Sequence, residues 1–173
     1  RSGEIDMLER LAATDVKSVK DDKSLQFIST PGLGYQGMTL NHNNGDLSNT
    51  PFGKDKRVRQ ALSLAIDRKV LNDVVFEGTH PPTVQPFPPS SSYFMKELAV
   101  PARDVSKAKA LLKDAGVTGP LKLEIMVTNN PVDAQLGQVI QAMAQEAGFD
   151  IQLRSMEFAS QLRDQGQGKF QLS

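Results

Sequence analysis

The last third of the chain repeats one pattern twice: an apolar helical stripe ends at an Ala-Gly pair and leads into a segment of alternating apolar and polar residues. The first pair is Ala115-Gly116 and the second is Ala147-Gly148. Glycine after a helical stripe indicates the end of a helix, because glycine readily adopts the left-handed conformation that closes the last turn. The pattern therefore predicts helix, strand, helix and strand, in that order.

The helix between the two predicted strands is what most constrains the fold. The alternating apolar residues are Leu121, Leu123, Ile125 and Val127 in the first strand, and Phe149, Ile151 and Leu153 in the second. A strand, a helix and a second strand in sequence favour a parallel crossover, because parallel strands cannot be joined by a short turn. We therefore predict an α/β fold, a mixed sheet with helices packed on it.

Further helices are predicted from capping residues. Asp55 and Asp67 each precede an apolar helical stripe, Asp104 precedes the first repeated helix, and Asn130 with Pro131 precedes the second. Short polar side chains at these positions satisfy the free N–H groups of a first helical turn. Apolar positions with helical or strand spacing predict one core, which contains Leu62, Ala65, Ile66, Leu111, Leu112, Ile125, Leu136, Ile140 and Ile151.

The first third is predicted from weaker patterns. Residues 4–12 have helical spacing of apolar residues, and Thr14 precedes a second short helix. Residues 24–30 and 35–41 read as strands on either side of a turn at 31–34, and residues 43–53 read as a polar loop. Residues 79–92 contain five prolines, which exclude a helix and predict an extended loop.

Composition excludes several classes of protein. The 173 residues carry 20 basic and 20 acidic side chains, and this balance argues against a nucleic-acid partner. The absence of cysteine excludes thiol chemistry and disulfides, and is compatible with an envelope compartment. Neither His42 nor His80 has a second ligand at metal-binding spacing, so we expect no metal and no cofactor.

A glycine motif and a serine cluster suggest alternatives. Residues 32–37 match the letters of a dinucleotide-binding loop, but the residues after them predict a strand, where such a site needs a helix. Ser90, Ser91 and Ser92, with His80, leave open a small α/β hydrolase-like enzyme. A sensor domain of a cytosolic regulator is a further alternative. No complete catalytic set is evident, so a non-enzyme is predicted.

A family resemblance is carried by residues 51–68, which read PFGKDKRVRQALSLAIDR. This run resembles the signature segment of the family 5 extracellular solute-binding proteins, which serve importers of dipeptides, oligopeptides, glutathione and nickel. Residues 3–6, 31–35, 86–89 and 108–116 resemble further segments of that family in the same order. The resemblance covers nearly the whole chain.

The resemblance implies a periplasmic-binding-protein-like lobe. Residues 1–173 would be the C-terminal lobe of a two-lobed protein, truncated at both ends, with its signal peptide upstream. It would bind a peptide-like solute by hinge closure against the N-terminal lobe and deliver it to a membrane ABC permease from the periplasm. In dipeptide-binding relatives an arginine tends to precede the helix that here starts near Pro131, and this chain has Thr128-Asn129-Asn130 there.

Six residues are the predicted ligand contacts: Leu33, Gly34, Tyr35, Gln36, Asn129 and Asn130. They lie in turns at predicted strand ends, where α/β sheets hold ligands. Gly34 permits close approach to the backbone, Tyr35 offers an apolar face with a hydroxyl, and the Asn amides pair with peptide groups. The alternative for each is a turn or capping residue, as for Asn130 before Pro131.

Overall fold

The computed structural model describes residues 3–9, 11–30, 32 and 34–173, and these contain seven α-helices and two β-strands. The helices are α1 (Val16–Lys20), α2 (Pro51–Lys54), α3 (Lys56–Ala65), α4 (Arg68–Phe76), α5 (Val105–Asp114), α6 (Pro131–Ala147) and α7 (Phe158–Gly166). The strands are β1 (Leu121–Thr128) and β2 (Phe149–Met156).

The predicted crossover is confirmed. β1 and β2 are parallel neighbours, paired from Leu121 opposite Phe149 to Thr128 opposite Met156, and α6 connects them. Gly148 ends α6 with a φ of 101°, the left-handed conformation that the Ala-Gly pattern predicts. The α/β fold class is therefore correct.

The predicted caps of the central helices are also confirmed. The Asp55 carboxylate accepts a hydrogen bond from the backbone N–H of Arg57 (2.8 Å), and the Asp67 carboxylate accepts one from Lys69 (3.0 Å). The Asp104 side chain caps α5 in the same way, through the N–H of Lys107 (2.8 Å). Each contact spans two or three residues, so the local sequence is enough to specify it.

Residues 171–173, which we call the tail, extend the sheet. Met126 donates its backbone N–H to the carbonyl of Leu172 (2.9 Å), in a parallel bridge beside β1. On the other side of this tail, Thr39 donates to Ser173 (2.7 Å), and Leu40 forms an antiparallel bridge with Leu172. Residues 39–41, residues 171–173, β1 and β2 thus lie side by side.

One core holds these elements together. Seven of the nine predicted core residues are buried in it, and Leu111 and Leu136 are partly buried against it. Five of the six largest fully buried side chains are absent from the predicted set of nine, namely Phe52, Val58, Met126, Phe149 and Leu172. Phe52 belongs to α2, which lies inside the predicted polar loop 43–53 and is capped by Thr50 through the N–H of Gly53 (3.2 Å).

The predictions for the first third were largely wrong. Residues 3–9, 11 and 12 form no helix, and residues 24–30 form no strand. In the segment 35–41 the only bridge among the described residues is at Leu40. The short helix α1 does form, but its N-cap is Asp15 and not Thr14, which lies in the preceding turn, and no side chain caps the helix. Isolated short helices and strands are marginal without packing, and Ile5, Leu8 and Ile28 are exposed here.

The proline-rich loop is confirmed, since no helix or strand occurs in residues 79–92. Among the described residues, no helix combines the length and apolarity that a membrane crossing requires.

Candidate functional site

The carboxyl ends of three parallel segments lie at one edge of the sheet. β1 ends at Thr128, β2 ends at Met156, and the tail beside β1 ends at Ser173. The backbone N–H of Asn129 donates to the carbonyl of Met156 (2.9 Å), so the chain after β1 stays close to the end of β2. Loops at such an edge are where open α/β sheets hold ligands. We call residues 34–36, 128–133 and 156–158 the cleft edge.

A side-chain cluster forms the polar part of the cleft edge. The Asp133 carboxylate accepts hydrogen bonds from the hydroxyl of Thr128 and from Nδ2 of Asn130 (2.7 Å). The Asn130 side chain in turn accepts from the backbone N–H of Asp133 (2.9 Å). Asn130 is the N-cap of α6 and Pro131 is its first residue, so Asn130 does cap this helix. Asn130 remains exposed to solvent.

Gln36 joins the two predicted site segments. Its Nε2 donates to Oδ1 of Asp133 (3.3 Å), across 97 residues of chain. Both side chains of this pair can form other hydrogen bonds, because the contact is exposed and its distance is long. A ligand with amide groups can therefore exchange with this contact without leaving a buried polar group unpaired.

The remaining predicted site residues differ in their surroundings. Leu33 lies outside the described residues. Gly34 has open space around its Cα, and Asn129 is exposed. Tyr35 is 66% exposed, and its ring lies over Gly37, where a Cβ would approach it to 3.2 Å. The structure thus brings Gln36 and Asn130 together on Asp133; that any of these residues contacts a ligand stays a prediction.

Sequence reasoning missed three residues at or near this edge. Asp133 is the polar centre of the cluster, and its position three residues after an N-cap asparagine was a usable signal. Phe158 and Leu162 are exposed apolar residues on α7 with a spacing of four, so they share one helical face. The spacing of apolar residues predicts that they share a face, but it does not show whether another part of the protein packs against that face.

A buried polar group lies beside the end of the tail. Gln161 is 8% exposed, and its Nε2 donates to the hydroxyl of Ser173 (2.6 Å) and the carbonyl of Met126 (3.3 Å). Gln165 donates to the same hydroxyl (2.6 Å). These bonds fix the end of the tail against α7. The Oε1 of Gln161 has no hydrogen-bond partner among the described residues.

The residues of the hydrolase alternative do not form a catalytic arrangement. Nδ1 of His80 lies 2.9 Å from the hydroxyl of Thr79, and its ring packs on Phe76 at 4.4 Å. Ser91 accepts a hydrogen bond from the backbone N–H of Tyr93 (3.2 Å). In the described part of the chain, no hydrogen bond joins His80 to the three serines, and no group of three His, Asp or Glu residues is placed to hold a metal.

Comparison with known proteins relates this chain to solute-binding proteins. The family model for bacterial extracellular solute-binding proteins, family 5 middle, matches residues 1–173. The chain is similar to the nickel-binding protein NikA of Staphylococcus aureus, with 26% identity over 155 residues that cover 88% of this chain and 30% of the relative. It is also similar to the dipeptide-binding protein of Escherichia coli, with 25% identity over 91% of this chain and 29% of the relative.

Solved structures show the same relationship. The periplasmic binding protein DppA of Helicobacter pylori, in complex with the peptide STSA, matches 92% of this chain with a TM-score of 0.74 and 26% identity, over 30% of its own length. HbpA2 of Haemophilus parasuis matches 92% of this chain with a TM-score of 0.80 and 27% identity, over 31% of its own length. The chain therefore spans about a third of the length of the proteins that it matches.

Proposed function

Because this chain belongs to the bacterial extracellular solute-binding proteins of family 5, we propose that it is the ligand-binding lobe of a substrate-binding protein that delivers peptide-like solutes to an ABC importer. The observation that carries the proposal is the Gln36–Asp133 hydrogen bond (3.3 Å), which assembles the cleft edge from segments that are distant in sequence. The proposal includes a periplasmic location and closure on a second lobe of the same protein.

The chemistry of the cleft edge supports a peptide-like ligand. Side-chain amides of Gln36, Asn129 and Asn130 offer both donors and acceptors, which match the N–H and C=O groups of a peptide. Tyr35 adds an exposed aromatic ring, and Phe158 adds a second one at the start of α7. Binding sites of this kind combine apolar walls with a few polar groups that fix orientation.

The charge of the cleft edge limits which part of the solute can bind there. The cleft edge contains two carboxylates, Asp133 and Glu157, and no lysine or arginine. A free peptide carboxylate has no cationic partner there. We therefore propose that this edge does not hold the carboxylate end of the solute, which is bound elsewhere.

Closure of two lobes about a hinge accounts for the exposure of the cleft edge in a single lobe. A ligand that lies between two lobes takes only part of its contacts from each, and closure then excludes water from both faces. A micromolar complex corresponds to about 8 kcal/mol, so the loss of about 4 kcal/mol with one lobe gives affinity near millimolar. The whole protein and the 173-residue chain are titrated with one peptide by calorimetry. Comparable affinities would mean that the site lies within this chain alone.

Variants of cleft-edge residues test whether the peptide binds at this edge. Asp133→Ala and Gln36→Ala in the whole protein should each weaken peptide binding by about tenfold, the equivalent of one hydrogen bond. Gln138→Ala is the matched control, since this exposed glutamine lies on α6 outside the cleft edge. Equal affinities for all three variants would contradict the assignment of this edge.

We also propose that the chain acts as a binding protein without catalytic turnover. His80 is engaged with Thr79 and Phe76, and among the described residues no hydrogen bond joins it to the three serines of the hydrolase alternative. Incubation with peptide and ester libraries, followed by mass spectrometry, tests this. Turnover that His80→Ala abolishes would favour the hydrolase alternative.

A further inference from the structure

A second recess lies outside the cleft edge. It is an open groove of about 740 Å³ between α4 and two proline-containing segments. Arg68 and Asn72 of α4 line it, together with Pro81, Pro82 and Pro101 of the two segments. Arg103 lines one end and contacts the last turns of α6, through the carbonyl of Met143 (3.2 Å) and the carboxylate of Glu146 (3.1 Å). We call this recess the proline-walled groove.

The groove is separate from the cleft edge. None of its lining residues belongs to the cleft edge as defined above. The cleft edge is at the first turn of α6, whereas Arg103 is at its last turns, and a helix of 17 residues is about 25 Å long. A ligand of the groove would therefore not be the solute of the proposed cleft.

Asn72 places an unused donor in the groove. The residue is 8% exposed, and its Oδ1 accepts a hydrogen bond from the backbone N–H of His80 (2.9 Å). Because a backbone N–H only donates, this bond fixes which side-chain atom is oxygen and leaves Nδ2 on the other side. Nδ2 has no hydrogen-bond partner among the described residues and is not fully buried, and Asn72 is one of the residues that line the groove.

Arg68 supplies an unpaired cation on the same face. Arg68 and Asn72 are four residues apart on α4, so they lie on the same face of the helix, and both line the groove. The guanidinium donates to the carbonyl of Ser63 (3.1 Å) and to its hydroxyl (2.9 Å), which leaves three of its five N–H groups available. No salt bridge to Arg68 occurs within the described part of the chain.

The other charged side chains of the groove are held in ion pairs or in a helix cap. Lys69 binds the carboxylate of Asp73 (2.8 Å), Asp67 caps α4, and Arg103 binds Glu146 as described. The proline wall offers no backbone N–H at Pro81, Pro82 or Pro101, so it contributes apolar surface. The side-chain donors that remain available in the groove are thus the guanidinium of Arg68 and the amide NH₂ of Asn72.

We propose that Arg68 and Asn72 bind a carboxylate in the proline-walled groove, with the apolar part of the ligand against the prolines. A carboxylate is planar and accepts two hydrogen bonds side by side, which suits a guanidinium and a neighbouring amide. The carboxylate comes either from a small organic acid or from the C-terminus of a peptide segment. The two sources share this chemistry and differ in how much of the proline wall they cover.

The test is a titration of the ¹⁵N-labelled chain followed by NMR. Succinate is added against sodium chloride of equal ionic strength. The expected result is a saturable shift of the Asn72 side-chain NH₂ resonances, while those of Gln36 and Asn130 at the cleft edge stay unchanged. No saturable shift at Asn72 would overturn the proposal, and it would leave the proposed cleft function unaffected.

Variants separate binding from folding. Asn72→Asp keeps an oxygen for the His80 N–H and removes the donor, and Arg68→Gln removes the charge. Each should weaken succinate binding about tenfold or more, measured at the His80 backbone amide, because a hydrogen bond to a charged group is lost. Arg68→Lys should fold with the charge retained and lose less. The control is Arg163→Gln, an exposed arginine of α7. Equal affinity in Asn72→Asp and in the control would overturn the proposal.

The source of the carboxylate is decided with two acetylated tripeptides, one with a free C-terminus and one amidated. Stronger binding of the free-acid peptide than of succinate assigns the groove to a peptide terminus, and equal or weaker binding assigns it to a small acid. Binding of the amidated peptide at Asn72 as strong as that of the free acid would overturn the assignment of a carboxylate.

Discussion

The buried side-chain amide of Asn41 donates a hydrogen bond to the backbone carbonyl of Phe170 (2.7 Å), across 129 residues of chain. The same Nδ2 donates to the carbonyl of Asn44 (2.8 Å), and Oδ1 accepts from the N–H of Asn44 (3.0 Å). One side chain thus closes the loop after residue 41 and attaches it to the tail. The tail then pairs with β1, so Asn41 helps position the tail, which ends beside the cleft edge.

Asn41→Leu should lower the free energy of unfolding by about 2–4 kcal/mol, because it leaves buried carbonyl groups without donors. Asn43→Leu is the control, since Asn43 is exposed and surface substitutions usually change stability by less than about 0.5 kcal/mol. Denaturant titration of both variants gives the comparison. A similar loss in the two would show that the bond to Phe170 contributes nothing specific.

Gly168→Ala tests the packing of the same loop against the tail. Gly168 has a φ of 70°, and a Cβ there would lie 2.5 Å from the carbonyl oxygen of Asn44. Gly116→Ala is a matched control, with a φ of 80° and open space around the added carbon. The control should lose about 1–2 kcal/mol from backbone strain alone. Gly168→Ala should lose clearly more in thermal or denaturant unfolding, and equal losses would contradict the close approach.

Stability should depend on pH through Asp55. Hydrogen bonds from the side chain and the backbone of Arg57 lower the pKa of Asp55 from 3.8 to about 2. A lowered pKa in the folded state contributes stability that is complete above pH 3.8 and is lost as pH falls towards 2. Asp55→Asn keeps a capping oxygen without the charge, so its stability should change less over this interval. Unfolding curves between pH 5 and pH 2, at about 0.1 M salt, give the free energy of unfolding of the unchanged protein and of Asp55→Asn. Parallel pH profiles of the two proteins would refute a contribution from the Asp55 charge.

The core prediction is tested at two positions. Leu62 and Ile140 are buried on α3 and α6, so truncation of either to alanine should cost about 2–5 kcal/mol through lost burial and the remaining cavity. Val132→Ala, on an exposed position of α6, should cost less than about 1 kcal/mol. Chemical denaturation gives all three values. A cost below about 0.5 kcal/mol at Leu62 or Ile140 would show that the residue is not part of the core.

The sequence by itself determined the features that depend on neighbours within one or two turns. Asp55, Asp67, Asp104 and Asn130 cap helices because each side chain reaches an N–H two or three residues away. The parallel pairing of β1 and β2 also followed, because an intervening helix leaves a parallel crossover as the favoured connection.

Tertiary structure decided what the first third and the tail do. The helical spacing of residues 4–12 and the strand pattern of residues 24–30 produced neither element, since periodic apolar residues need a surface to pack on and Ile5 and Ile28 are exposed. The contact of Gln36 with Asp133 joins residues 97 apart, and that of Asn41 with Phe170 joins residues 129 apart. Such pairs carry no local signal, because their partners meet only after the sheet and helices have folded.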